Sequence, residues 1–370
     1  MRGRKSDREH QSHSEERVQL ALDLNSQDEL LAEKIRTLSS YTRLSPAVPT
    51  TVYDSYWYFA AERQGMFFRR LQGESPPWTE NPILQIHRFT NVYRASDRVS
   101  QYLIRNVIYK GDQSPIEVFF RILLFKVFNR IETWELVRDK IGEIVYADYS
   151  FERYDRVFTG ALNSGSRIFS AAYIMPSGKS QFGHSRKHRN FLELIERMIG
   201  DEVPFRLAEA PSMKRAFEIL RSYPLLGDFL AYQYLIDINY SELTDFSESE
   251  FVMPGPGAKD GIRKCFKELG GLNEIEIIKL MADRQEEELG RRNLSFRSLW
   301  GRPLQLIDCQ GLFCEVDKYA RLAHPNVPGR RTRIKQKYRA RPDGVSYWFP
   351  PKWGINDQVR LTEGEGSAAL

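Results

Sequence analysis

The stretch from Ser114 to Phe128, Ser-Pro-Ile-Glu-Val-Phe-Phe-Arg-Ile-Leu-Leu-Phe-Lys-Val-Phe, constrains the fold more than any other part of this sequence. Ser114, Pro115 and Glu117 stand in the order of N-cap, first helical residue and N3 of a capping box, so a helix opens there and runs to Asn129. It is apolar almost all round, which only a buried helix tolerates. Arg121 and Lys126 interrupt it, and it falls short of the roughly 20 residues a membrane span needs. A helix buried on all sides requires other helices or sheets to cover it, so the chain must hold a large core.

Those covering elements read as helices. From Asn91 to Tyr109 the apolar residues Val92, Ala95, Val99, Leu103 and Val107 recur at helical spacing, with Arg94, Arg98 and Arg105 on an opposite stripe. Further helices are expected over Tyr154–Ala161, Ser166–Met175, Lys187–Ile199, Pro211–Arg221 and Asp228–Ile238. Only Glu143–Phe151 and Val345–Phe349 resemble short strands. No repeat is visible, and the fold class is mainly α. Residues 1–45 read as a mobile arm or peripheral helix, 46–325 as one helical domain, and 326–370 as an irregular basic tail.

Composition narrows the function. With 41% hydrophobic and 28% charged residues the chain is apolar enough to fold. The charged start, Met1 to Glu16, has no apolar segment of a secretory signal, so a cytoplasmic protein, or a nuclear one in a eukaryote, is expected. Cys265, Cys309 and Cys314 form neither a disulfide framework nor paired zinc spacing, and His188 and His324 lack partners at metal spacing. No metal site is predicted from the residues, though a divalent ion is left open. The net charge of +5 is concentrated: between Arg330 and Arg341 every charged residue is basic, which suits a polyanionic partner.

The segment Met253-Pro-Gly-Pro-Gly-Ala-Lys-Asp-Gly261 is the most informative local pattern. Gly255 and Gly257 would let a hairpin present backbone N–H groups and a helix N-terminus to a phosphate, with Lys259, Arg263 and Lys264 adding charge. The plain alternative is a tight turn with surface lysines. The segment resembles the helix-hairpin-helix of DNA glycosylases, in which Lys259 falls at the Schiff-base position, while Asp308 comes much later than the catalytic aspartate of that superfamily.

A narrower resemblance spans residues 53–325. Tyr56-Trp57 through Arg63, Pro77-Trp78-Thr79, Arg88-Phe-Thr-Asn-Val-Tyr-Arg94 with Asp97-Arg98, Phe128-Asn129, Gly227-Asp-Phe-Leu-Ala-Tyr-Gln233 with Asp237, and Phe313-Cys-Glu-Val-Asp-Lys-Tyr-Ala-Arg321 are similar, in one order, to the α-glutamyl/putrescinyl-thymine pyrophosphorylases and the helical domain of 5-hydroxymethyluracil DNA kinases. The resemblance implies DNA hypermodification, in which an amine or amino acid displaces pyrophosphate from a 5-(pyrophosphoryloxymethyl)uracil. No Gly-x-x-x-x-Gly-Lys-Ser/Thr loop occurs in this sequence, so the transfer, not the phosphorylation, is expected.

Under that reading Arg63, Arg94, Arg98 and Arg321 are candidates for binding the pyrophosphate, and Lys259 and Lys318 for neutralising the leaving group. Asp308, Glu315 or Asp317 would take the proton of the incoming ammonium. Asn91, Gln233 and Asp237 would line the pocket, and a flipped base would stack on Trp57, Trp78 or Tyr319. Ordinary ion pairs at helical spacing and core aromatics are the alternatives for these residues. A glycosylase of modified bases and a non-catalytic module for modified DNA are the rival functions. The expected partners are DNA and the amine, with no membrane; the oligomeric state is not legible.

Overall fold

The structure is a computed structural model that describes residues 46–329, 331–338 and 346–367. The expected arm, residues 1–45, and part of the basic run lie outside them. The chain divides into two units. One is residues 1–48 with 268–272; the other is 49–267 with 273–370. The second unit holds all the functional geometry below.

The architecture is mainly α. In chain order the elements are β1 (Val48–Pro49), α1 (Thr51–Leu71), α2 (Pro82–Ile86), α3 (Arg98–Leu103), α4 (Pro115–Phe128), α5 (Ile131–Ile141), α6 (Phe151–Asn163), α7 (Lys179–Phe182), α8 (Lys187–Gly200), α9 (Val203–Ala208), α10 (Met213–Arg221), α11 (Asp228–Ile238), α12 (Pro256–Cys265), β2 (Phe266–Glu268), α13 (Glu274–Asp283), α14 (Gln285–Arg291), α15 (Leu306–Ala323) and α16 (Asn356–Ser367). The two short strands form the one sheet among the described residues.

Helix α4 is buried from Val118 to Phe128, including both of its cations. Arg121 remains charged in the interior by donating to the carbonyls of Val107, Ile108 and Asp112 at 2.8, 3.1 and 2.6 Å. The helix starts and stops as expected, with Asn129 closing it in the left-handed conformation, but the capping box does not form. Glu117 instead accepts the N–H groups of Tyr146 and Ala147, at 2.7 and 3.1 Å, and so fastens the segment expected to be a strand, which here is turns and bends.

Two predicted helices fail for one reason: carboxylate and carbonyl acceptors offer the backbone better partners than its own turns do. Asn91–Tyr109 is not one helix. Arg94–Ser96 is a single 3-10 turn, Asp97 is extended, and α3 then passes into a π-turn over Ile104–Ile108. Arg94 is thereby uncoupled from the Arg98 and Arg105 stripe. Ser166–Met175 has no helix; Ser170 N–H donates to Phe128 O at 2.9 Å instead.

Beyond residue 326 the described chain departs from an irregular tail. Tyr347, Phe349, Ile355 and Val359 are buried, and α16 follows. Tyr347 meets Phe67 edge-on, and Phe349 packs on Trp300 and Trp353. None of residues 346–350 forms a strand. Among the described residues no helix is long and apolar enough to cross a membrane.

Candidate functional site

The site is built around the irregular loop of residues 87–97, in which some backbone N–H groups find acceptors on side chains rather than on the carbonyls of a helix or sheet. Helix α15 provides them. Asp308 and Glu315 lie seven residues apart, two turns along one face. Arg94 N–H donates to Asp308 Oδ1 at 2.8 Å, and Thr90 N–H to Glu315 Oε2 at 3.2 Å. Within the loop, Asn91 N–H donates to Asp97 Oδ1 at 2.8 Å, while the Asn91 side chain accepts from Arg63 at 2.6 Å and donates to Ser96 O at 2.7 Å.

Arg94, so placed, turns its side chain inward. Its guanidinium donates to Asp237 Oδ1 at 2.5 Å, to Gln233 Oε1 at 3.2 Å and to Tyr240 Oη at 3.3 Å. Lys126 of α4 reaches the second oxygen, Asp237 Oδ2, at 2.6 Å. Burial alone would raise the Asp237 carboxyl, but the charges of Arg94 and Lys126 outweigh it and hold the group below the usual range. One buried carboxylate thus serves two cations, and the cluster keeps an excess positive charge.

That cluster forms part of the wall of a cleft of about 620 Å³, in the range of small-molecule sites. Arg88, Arg98, Arg130, Arg167 and Lys318 add basic groups, while Asp97, Glu132 and Glu315 supply carboxylates. Lys318 pairs with Glu315 at 2.5 Å. Burial pushes the Asp97 carboxyl up to about 6, against the lowering effect of the Asn91 N–H. The apolar lining includes Phe169, Tyr173 and Phe229. A neighbouring cleft of about 500 Å³ shares Arg88, Phe89, Asp97 and Arg98 and adds Arg63, Asn91 and Arg105.

Arg94, Arg98, Asp237, Glu315 and Lys318 therefore meet in one cleft, with Gln233 backing Arg94. Other candidates do not reach it. Asp308 is only 4% exposed; besides holding the loop it accepts Gln305 N–H at 3.0 Å, capping its own helix, which occupies both oxygens. Its carboxyl is pushed up to about 7 by burial, yet it faces no solvent space from which to take a substrate proton. Asp317 is spent on Lys264, at 2.9 Å, and on Arg321; both cations are buried against it and are unsuited to gripping a phosphate. Trp57 is fully buried in α1, Tyr319 is buried and hydrogen-bonded to Asn81, and Trp78 sits in its loop beneath Arg70. None of the three offers a ring to this cleft.

The glycine-rich turn also differs from expectation. No helix precedes it, since α11 ends at Ile238 and residues 239–255 are a connection; Gly255 then caps α12. Its glycines serve close packing. A Cβ would lie 2.6 Å from the Phe229 ring at Gly255, 3.1 Å from Cys314 Sγ at Gly257, and 2.0 Å from Phe313 O at Gly261. Arg263 is exposed but paired with Asp260, and neither Arg263 nor Lys259 lines the cleft.

Sequence reasoning missed Lys126, Asp97 as a titrating group, Arg130 and Arg167, and the aromatic pair Tyr173 and Phe229. For Lys126 a signal existed, because a lysine inside an apolar helix demands a buried partner. Among the described residues no group of three or more His, Cys, Asp and Glu side chains is placed to hold a metal.

Comparison with known proteins bears out the kinase helical-domain part of the resemblance and does not extend to the pyrophosphorylases. The family model of the 5-hmdU DNA kinase helical domain matches residues 50–329. A 5-hmdU DNA kinase of Bacillus phage SP10 is 30% identical over 331 residues, covering 83% of this chain and 51% of that protein. The chain thus spans about half the length of this relative. No solved structure matches significantly. The chain belongs to the family of the 5-hmdU DNA kinase helical domain.

Proposed function

We propose that this chain is a DNA-modifying transferase that binds a 5-(pyrophosphoryloxymethyl)uracil in DNA and replaces its pyrophosphate with an amine or amino acid. The observation that supports this reading best is the cleft itself, where cations outnumber the carboxylates around a volume of about 620 Å³. Pyrophosphate would be met by Arg88, Arg98, Arg167 and Lys318, with Arg94 and Lys126 held behind them on Asp237. The bond from the exocyclic methylene carbon to oxygen breaks, pyrophosphate leaves with the electron pair, and nitrogen forms the new C–N bond. The attacking ammonium first loses a proton, for which Asp97, poised at about 6, is the best-tuned acceptor in the cleft, with Glu315 nearby.

The phage relative is named for a kinase activity, but this sequence lacks a Gly-x-x-x-x-Gly-Lys-Ser/Thr loop, so we assign it a step after phosphorylation. The test is incubation of the full chain with DNA carrying the pyrophosphorylated base and a panel of amines and amino acids, followed by nucleoside mass spectrometry and a pyrophosphate assay. A heavier nucleoside with its glycosidic bond intact and equimolar pyrophosphate is expected. Release of free base, or phosphate transfer from ATP to 5-hydroxymethyl DNA, would overturn the assignment.

A further inference from the structure

The cleft contains an aromatic feature that the reaction as written does not use. Tyr173 and Phe229 both line it and are both partly exposed. Their rings are nearly parallel, 16° apart, with centroids 5.9 Å from one another. Each ring lies at the cleft wall with part of its surface open to it.

Backbone conformation, neighbouring cations and close packing hold this pair in place. Tyr173 sits at φ 54, in the left-handed region that an aromatic residue adopts only when its surroundings enforce it. Lys126 Nζ lies 4.5 Å from the centre of its ring and the Arg94 guanidinium 6.0 Å, so the cations that share Asp237 also clamp the tyrosine. Phe229 is fixed by the turn at Gly255, where a side chain would run into its ring at 2.6 Å. Rigid, partly exposed aromatic rings beside a cluster of cations suit a planar heterocycle that carries phosphate groups, because every nucleobase presents a π-face and the stacking is sequence-tolerant.

We propose that Tyr173 and Phe229 form the seat on which the pyrimidine stacks, with Lys126 and the Gly255 turn acting as positioning elements for the two rings. The inference rests on the transferase reading for its choice of a pyrimidine, but stacking is measurable without any chemistry. It gives the glycine turn a role at the cleft that does not require contact with the DNA backbone.

The probe is a single-stranded oligonucleotide containing one pyrrolo-deoxycytidine, a pyrimidine analogue whose fluorescence is quenched by stacking, titrated with the full chain. Wild type is expected to quench it. Tyr173→Leu and Phe229→Leu, each checked for an unchanged denaturation midpoint, should each weaken binding about tenfold and restore emission, while Tyr173→Phe keeps the quenching. In steady-state assays of transfer, the leucine variants should raise KM for DNA more than they lower kcat, and Gly255→Ala should do the same more mildly. Unaltered quenching and KM in both leucine variants would overturn the seat. If wild type quenches but transfers no amine, the seat stands and the transferase reading falls; if it transfers while both leucine variants match it, the reverse holds.

Discussion

Asp237 holds two cations in place with one carboxylate, at 1% exposure. Removing its charge leaves Arg94 and Lys126 buried without compensation, so Asp237→Asn should cost about 3–5 kcal/mol in denaturant unfolding. Because its folded pKa is depressed, its contribution is complete at neutral pH and is lost only as pH falls below the ordinary carboxylate value and through the folded one. Asp308 acts in the opposite sense. Its folded carboxyl is raised by burial to about 7, so between about pH 4 and 7 the folded chain keeps a proton the unfolded chain has released. Stability should therefore decline as pH rises through that window, by at most about 1.4 kcal/mol per pH unit for this one proton, and Asp308→Asn should flatten the decline in urea titrations at pH 5 and 7.5. For Asp97 the proposed role predicts kcat falling below about pH 6, and a loss of roughly 10²–10⁴ in Asp97→Asn. These assignments separate three aspartates: Asp237 and Asp97 line the cleft, and Asp308 caps a helix.

At the scale of elements, the tightest join is α12 against α15. A methyl at Gly261 would sit 2.0 Å from the backbone oxygen of Phe313, and neither helix can yield without shifting whole. Gly261→Ala should destabilise by about 3 kcal/mol or prevent folding. Gly160 in α6 has no heavy atom within 4 Å of the same position, so Gly160→Ala should stabilise by about 0.4–1 kcal/mol. Thermal denaturation of the two variants side by side checks both signs. Helices were legible where one apolar stripe met a clear boundary. Asp228–Ile238 matches its expected limits, Lys187–Gly200 extends by one residue, and α4 ends at the predicted asparagine. They were illegible where distant acceptors decide the backbone. The spacing of Val92, Ala95 and Val99 fits a helix, yet Asp308 and Glu315, more than 200 residues away, take the N–H groups of Arg94 and Thr90 and hold this stretch as a loop. The same holds for the site: Arg94 and Asp237 were identified from a resemblance, whereas the Tyr173 and Phe229 pairing arises only from tertiary contacts.

Taken as one object, the molecule gathers cations along the two adjoining clefts, and Arg88 and Arg167 among them are open to solvent. If DNA enters there, affinity should fall steeply with salt, and Arg88→Ala or Arg167→Ala should each lower the slope of log K against log salt by up to about 1, as measured by fluorescence anisotropy. The C-terminal segment matters on the same scale. Phe349 is fully buried between Trp300 and Trp353, so Phe349→Ala should cost about 3–5 kcal/mol and loosen the packing of this segment on Trp300. The two-turn stretch of α15 from Asp308 to Glu315 carries a last implication. Each of these side chains grips a different N–H of one loop, so the helix works like a ratchet with two teeth. A single inserted residue between them would swing one tooth about 100° around the axis, leaving the loop to choose which grip to keep. The spacing of that stretch is thereby locked to the shape of the cleft mouth, and drift in its length would be felt as lost alignment of Arg94 before any loss of helix.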